Sequence, residues 1–157
     1  MRETIGSTWI FYLVIIFILI FAAYLALTIN YSKSFRLKDE VLTIVEKYEG
    51  FTDGAFETVN NYLLANNYQE SGYCPDGWYG VSSLQSKNVD AGMKIAVSNQ
   101  RYYYCVDKIA SYNTTHTGRA YYKIRMFFKF NLPVLGQIST FDVDGQTYEM
   151  DNTYDKL

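Results

Sequence analysis

Few side chains in this sequence are of a type that can do chemistry, and spacing decides what each can support. His116 is the only histidine and stands beside Thr114, Thr115 and Thr117 in a stretch that reads as a turn. A catalytic base needs a positioned nucleophile and an orienting acid, and nothing nearby supplies either. Asp142, Asp144 and Gly145 look like a fragment of a calcium loop, but the later ligands and the terminal Glu are missing at the required spacing. Asp144-Gly145 reads instead as a two-residue hairpin turn. Cys74 and Cys105 belong to no Cys-x-x-Cys pair and lie near no histidine cluster, so no metal site is expected. The expectation is a protein without catalytic residues, cofactor or metal.

The two cysteines have a second use. Both lie in polar, aromatic surroundings well beyond the apolar N-terminal run, and an oxidised pair in an extracytoplasmic domain is the natural reading. Such a bond closes a loop of roughly 30 residues, worth ~3–4 kcal/mol in the chain-entropy account. Two free thiols on the cytoplasmic side are the alternative. Lys123, Arg125 and Lys129, with Phe127 between them, alternate along one strand face. That face could meet lipid phosphates, stack single-stranded nucleic acid, pair with acids of a partner or simply be solvated. Asn113-Thr114-Thr115 matches the glycosylation sequon, which has meaning only in a secretory pathway.

These groups must be positioned by a chain of 157 residues with a formal net charge of -2. That length allows one membrane segment and one modest domain, and the balance of charge argues against a nucleic-acid binder. Sixteen Tyr and ten Phe with only two Pro suit aromatic-rich β-structure.

Trp9 to Ile29 is the stretch around which the rest is organised. It carries no charge, and ~20 apolar residues at ~1.5 Å rise match a ~30 Å hydrocarbon core. Trp9, Tyr12 and Tyr31 are placed as interface aromatics, and Ala22 and Ala26 form a small-xxx-small pair where another helix could approach. A cleaved signal peptide is the competing reading, although its apolar region is usually shorter. Beyond the span, Leu37, Val41, Ile44, Val45 and Tyr48 recur as one apolar stripe at helical spacing, with Arg36 and Glu40 four apart on the other side. The expectation is one rod from about Thr8 to Glu49, stopped at Gly50; two helices hinged at Asn30 to Ser34 are the alternative.

A second helix is expected from about Asp53 to Asn66, capped by Thr52 or Asp53, with Phe56, Val59 and Leu63 on one face. Residues 69–88 read as an irregular segment pinned by the disulfide and Trp78. Strands follow at Met93 to Val97, Arg101 to Tyr112 and Arg119 to Asn131, the last with Ile124, Met126, Phe128 and Phe130 on one face. Leu132 to Gly136 forms a bend. Gln137 to Val143 and Gln146 to Met150 then flank the Asp144-Gly145 hairpin, and Asp151 to Leu157 is a polar tail. The fold class is α+β: a long transmembrane-plus-stem helix on a small antiparallel sheet, with a short second helix and one disulfide. The domains are a 1–7 leader, an 8–49 membrane helix and stem, and a 50–157 extracytoplasmic head.

This layout resembles the type IV pilin-like plan. Tyr121 to Phe130, Pro133-Val134-Leu135-Gly136 and Phe141 to Met150 are similar to the closing strand, bend and strand of the TadE-like proteins of tight-adherence pilus systems. The resemblance spans the chain and implies a pilus or secretion-filament subunit that works by subunit packing. Its implied partners are the bilayer, other pilin-like subunits and pilus or secretion machinery, with homo- or hetero-oligomers through the membrane helix. It also implies processing between Gly6 and Ser7. Two residues depart from the family pattern, since the fifth residue after Gly6 is Phe11 rather than an acid and Glu3 precedes Gly6. An uncleaved anchor and a minor or accessory subunit fit those departures. The resemblance and the cysteines favour a cytoplasmic N-terminus and an outer head, whereas Lys33, Arg36 and Lys38 against Arg2 count the other way.

Overall fold

A computed structural model of the protein describes residues 2–110, 118–132, 136–151 and 155–157, with residues 2–7, 130–132 and 136–139 described by backbone alone. His116 and the sequon at Asn113 lie outside the described residues, as do Pro133 to Leu135 of the expected bend and the side chain of Phe130. The chain is α+β.

Its first element, α1 (Arg2–Lys47), is a single helix of 46 residues, ~70 Å long at ~1.5 Å per residue. The helix runs unbroken through Gly6 and Ser7, since one glycine costs a helix only about 1 kcal/mol. The hinge alternative at Asn30 to Ser34 does not hold. Ser34 donates its hydroxyl to the Asn30 carbonyl at 2.9 Å, which satisfies the polar side chain inside the helix. The helix closes with a Schellman motif in which the Glu49 amide bonds to the Glu46 carbonyl and the Gly50 amide to the Val45 carbonyl. Glu49, not Gly50, takes the left-handed position at φ 55°.

Next comes α2 (Asp53–Ala65), whose first turn is capped by the Thr52 hydroxyl accepting from the Ala55 amide. A second Schellman motif, built on Asn67 at φ 54°, brings Tyr68 over Leu63. Two elements inside or next to the stretch read as irregular follow: β1 (Tyr79–Val81) and the one-turn α3 (Val89–Gly92). The first amide of α3 is capped from a distance by Asp53 at 3.0 Å.

The remaining strands are β2 (Met93–Ile95), β3 (Tyr104–Ala110), β4 (Arg119–Leu132), β5 (Gly136–Gln146) and β6 (Met150–Asp151). Among the described residues they form one antiparallel sheet in the order β2-β1-β3-β4-β5, with β6 also on β4. The register aligns Met93, Val81, Tyr104, Met126 and Val143 across five strands, and all five are buried. That row is the floor of the core. Val41 and Val45 of α1 and Phe56, Val59 and Leu63 of α2 supply the roof.

The Asp144-Gly145 hairpin is not formed. Both residues lie inside β5, paired with Arg125 and Ile124. A Cβ at Gly145 would stand 2.7 Å from Leu42 Cδ1 and 2.9 Å from Lys38 Cδ, so this glycine lets the stem lie directly on the sheet rather than turning the chain. After β5, the Thr147 hydroxyl accepts from the Tyr122 amide and the Thr147 amide donates to the Tyr122 carbonyl. The chain jogs there and rejoins β4 as β6.

Candidate functional site: where the apolar helix meets the head

Among the described residues α1 is the one helix long and apolar enough to cross a membrane, and its apolar window is unburied by the rest of the chain. Trp9 is 71 % exposed, and so in lesser degree are the large residues that follow it to Leu25, and Ile29 beyond a half-buried Leu27. Ala22 is exposed and Ala26 half-buried on the same helix. Tyr31, expected as an interface aromatic, packs within the chain. Its ring lies 4.6 Å from Phe35 and 6.3 Å from Phe141 of β5, and Phe141 stands 5.7 Å from Phe128. Aromatic contacts of this kind contribute beyond their buried area, and they begin locking α1 to the head at the end of the apolar run.

Above that point the stem docks through Ser34, Leu37, Val41, Leu42 and Val45, all buried. The stripe read from the sequence is thus turned slightly. Ile44 is half-buried, and Tyr48 is exposed, its hydroxyl 3.2 Å from that of Thr58. Leu42 had no place in the expected stripe and is buried because Gly145 admits it. Arg36 and Glu40 form no ion pair; Lys38 pairs instead with Asp39 at 2.7 Å.

The opposite face of the sheet is strapped by the chain itself. Cys74 and Cys105 are bonded, with Cα atoms 5.6 Å apart. The strap runs along β4, with Glu70 paired to Lys129 at 2.6 Å. Gly72 presses on Phe127, where a Cβ would be 2.3 Å from the ring, and Trp78 lies 5.5 Å from the Arg125 guanidinium. Arg125 also makes two 2.6 Å bonds to Asp144 and approaches Asp142 at 3.3 Å. Its pKa is raised chiefly by the Asp144 hydrogen bonds, against the effect of burial. The expected partner face is therefore largely occupied from within. Of Lys123, Arg125 and Lys129, only Lys123 carries no ion pair among the described residues.

Two polar centres were not legible in the sequence. The first is the Tyr68 hydroxyl, which accepts from the Phe127 amide at 3.0 Å and offers its proton to the carbonyls of Tyr103 and Phe127. It bridges β3 and β4 where their ladder ends. Burial pushes its pKa well above the usual phenol range, as it does for Tyr104, whose hydroxyl donates to Asn60 at 3.1 Å.

The second is Asp155, in the supposed polar tail. Its side chain is fully buried, accepts from the Phe51 amide at 3.1 Å and pairs with Lys108 at 2.5 Å. Burial, then Asp155 itself, raises the Tyr122 phenol. Lys156 follows with an ion pair to Asp53, whose carboxyl that hydrogen bond holds below its ordinary value. Residues 155–157 thus close the core beside the connection from α1 to α2, with Leu157 packed against it. Among the described residues no three acidic, histidine or cysteine side chains are grouped as metal ligands.

Comparison of the chain with protein-family models, with characterised proteins and with solved structures finds no match.

Proposed function

We propose that this chain is a single-pass, membrane-anchored pilin-like accessory subunit of a tight-adherence or related type IV-like pilus or secretion filament, acting by packing and partner binding rather than catalysis. The observation that carries the reading is the continuity of α1. One unbroken helix presents an unburied apolar half and, beginning at Ser34, becomes the roof of the head's core. Any rotation or tilt that neighbouring helices impose in the membrane is thereby passed rigidly to the head. In this reading the N-terminus is cytoplasmic and the head extracytoplasmic, where the Cys74–Cys105 bond persists. Partner helices meet α1 near Ala22 and Ala26. Phe11, in place of an acid, suits an accessory position.

The test combines sidedness with neighbour mapping in the native cell. A membrane-impermeant maleimide should label Cys74 and Cys105 only after reduction, without lysis. In a Cys74→Ala/Cys105→Ala background, Ala26→Cys should crosslink to other pilin-like chains. Labelling only after lysis overturns the orientation and the filament with it. A head outside the cell with no crosslink at any position of the span supports the second reading, a tethered binding or sensing module that joins no filament. That reading is favoured by one observation, the pairing of Arg125 and Lys129 within the chain.

A further inference from the structure

We propose that the cleft between α1 and the C-terminal end of α2 binds the phosphate of an anionic phospholipid headgroup. The proposal rests on α1 spanning the membrane. The cleft has a volume of about 540 Å³ and is lined by Thr28, Ser32, Lys33 and Arg36 of α1 and by Tyr62 and Asn66 of α2 and its cap. That is within the size of small-molecule sites, ~300–1,000 Å³. Lys33 and Arg36 are exposed, and neither is in an ion pair among the described residues, unlike Lys38 beside them. Arg36 is close enough to Tyr62 to oppose the rise that burial and Glu40 impose on its phenol. The last carbonyls of α2 already have donors within the chain: the Asn66 side chain and amide on Tyr62, the Tyr68 amide on Leu63 and the Asn67 amide on Leu64.

Position is the second argument. The cleft opens where the apolar run ends, at Thr28 and Ile29. Below Lys33, the same helical ridge continues at four-residue spacing through Ile29, Leu25, Phe21 and Phe17, all exposed. A lipid with its phosphate between Lys33 and Arg36 would lay an acyl chain along that ridge. Guanidinium and ammonium donors are the usual phosphate partners, Arg as a fork and Lys as a point charge.

The experiment places the full chain in phosphatidylcholine bilayers and measures the motionally restricted fraction of spin-labelled phosphatidylglycerol against spin-labelled phosphatidylcholine. Expected is a phosphatidylglycerol preference that falls about fivefold in Lys33→Gln or Arg36→Gln and survives in Lys94→Gln on β2. Ser32→Trp, which fills the cleft and keeps both cations, should lose it equally; survival there would mean attraction by surface charge alone and overturns the site. Displacement of the probe by millimolar inorganic phosphate would assign the cleft to free phosphate and overturn the lipid assignment. A chain that floats with vesicles, resists protease across α1 and shows no preference overturns the proposal and leaves the span standing. A chain that does not float removes both. Each variant is compared at equal Cys74–Cys105 oxidation and equal far-ultraviolet dichroism, so that loss of fold is not read as loss of binding.

Discussion

Leu42 of the stem and Gly145 of β5 touch so closely that a Cβ on the glycine would stand 2.7 Å from Leu42 Cδ1. This contact fixes how near the helix lies to the sheet. Gly145→Val should therefore destabilise the head by about 1–3 kcal/mol through overpacking, read from urea unfolding. Leu42→Ala should remove much of that penalty when the two are combined, which a double-mutant cycle detects as coupling. Additive losses would mean that Gly145 serves the strand's own conformation and not the helix approach.

The strap gives a second expectation. The Cys74–Cys105 bond spans 31 residues, so replacing both cysteines with Ala should cost about 3–4 kcal/mol in the chain-entropy account. It should also free Trp78 from Arg125. In a Trp9→Phe background the emission of Trp78 reports this directly, because the chain has two tryptophans. An unchanged Trp78 spectrum in the folded double-alanine variant would show that the Glu70, Gly72 and Trp78 contacts hold the strap without the bond.

What could be read from the sequence was what local spacing determines. Leu37, Val41 and Val45 are legible from helical period, Phe56, Val59 and Leu63 likewise, and the alternation from Lys123 to Lys129 separates the faces of β4. Two cysteines in one small polar domain suffice to suggest their bond. Asp144-Gly145 was misleading because the same dipeptide suits a tight turn and a close backbone approach, and only the position of α1 decides between them. Arg125 and Lys129 look like a free basic face until register brings Asp144 opposite one and the strap brings Glu70 over the other. Tyr68 and Asp155 carry no local signal at all. Their partners lie 59 and 104 residues away in the chain, so their importance arises only from tertiary structure.

Asp155 is the clearest such case. Removing one member of a buried ion pair leaves the other charge unpaired, at a cost of about 3–5 kcal/mol. Asp155→Ala should cost somewhat less, about 2–3 kcal/mol, because the Phe51 amide loses its acceptor while the partly exposed Lys108 keeps the Leu157 carbonyl. Lys156→Ala, one residue on, should be nearly neutral, as expected for an exposed pair. Thermal unfolding of the two variants side by side checks the contrast; equal effects would mean the tail is held by the backbone alone.

Alkaline stability follows from the buried phenols. Burial raises Tyr68 and Tyr104 above their ordinary value near 10. The folded state then holds a proton that the unfolded state releases, so each contributes stability that is complete below about pH 10 and declines above it. The slope is up to about 1.4 kcal/mol per pH unit for each such group. Far-ultraviolet dichroism and tyrosinate absorbance at alkaline pH should lose structure and gain the buried phenolates in one coincident transition. Tyr104→Phe should shallow the slope. Ionisation of all tyrosines before any loss of structure would show that these hydroxyls are accessible in the folded head.

The stem itself separates two substitutions that look alike in sequence. Val41 is fully buried against the sheet, whereas Ile44 is only half-buried. An aspartate at position 41 would put a carboxylate into the apolar cluster that holds Leu37, Val45 and Ile124, and a loss of about 4 kcal/mol is expected. At position 44 the carboxylate can turn to water, and the loss should stay near 1–2 kcal/mol. Limited proteolysis of detergent-solubilised protein should therefore find the head of Val41→Asp digested and that of Ile44→Asp protected. The apolar segment should stay protected by detergent in both, since the run from Trp9 to Ile29 is not buried against the rest of the chain. Protection of Val41→Asp would mean that the sheet is stable without the stem, and that motion of the apolar half of α1 is not passed to the head through this contact.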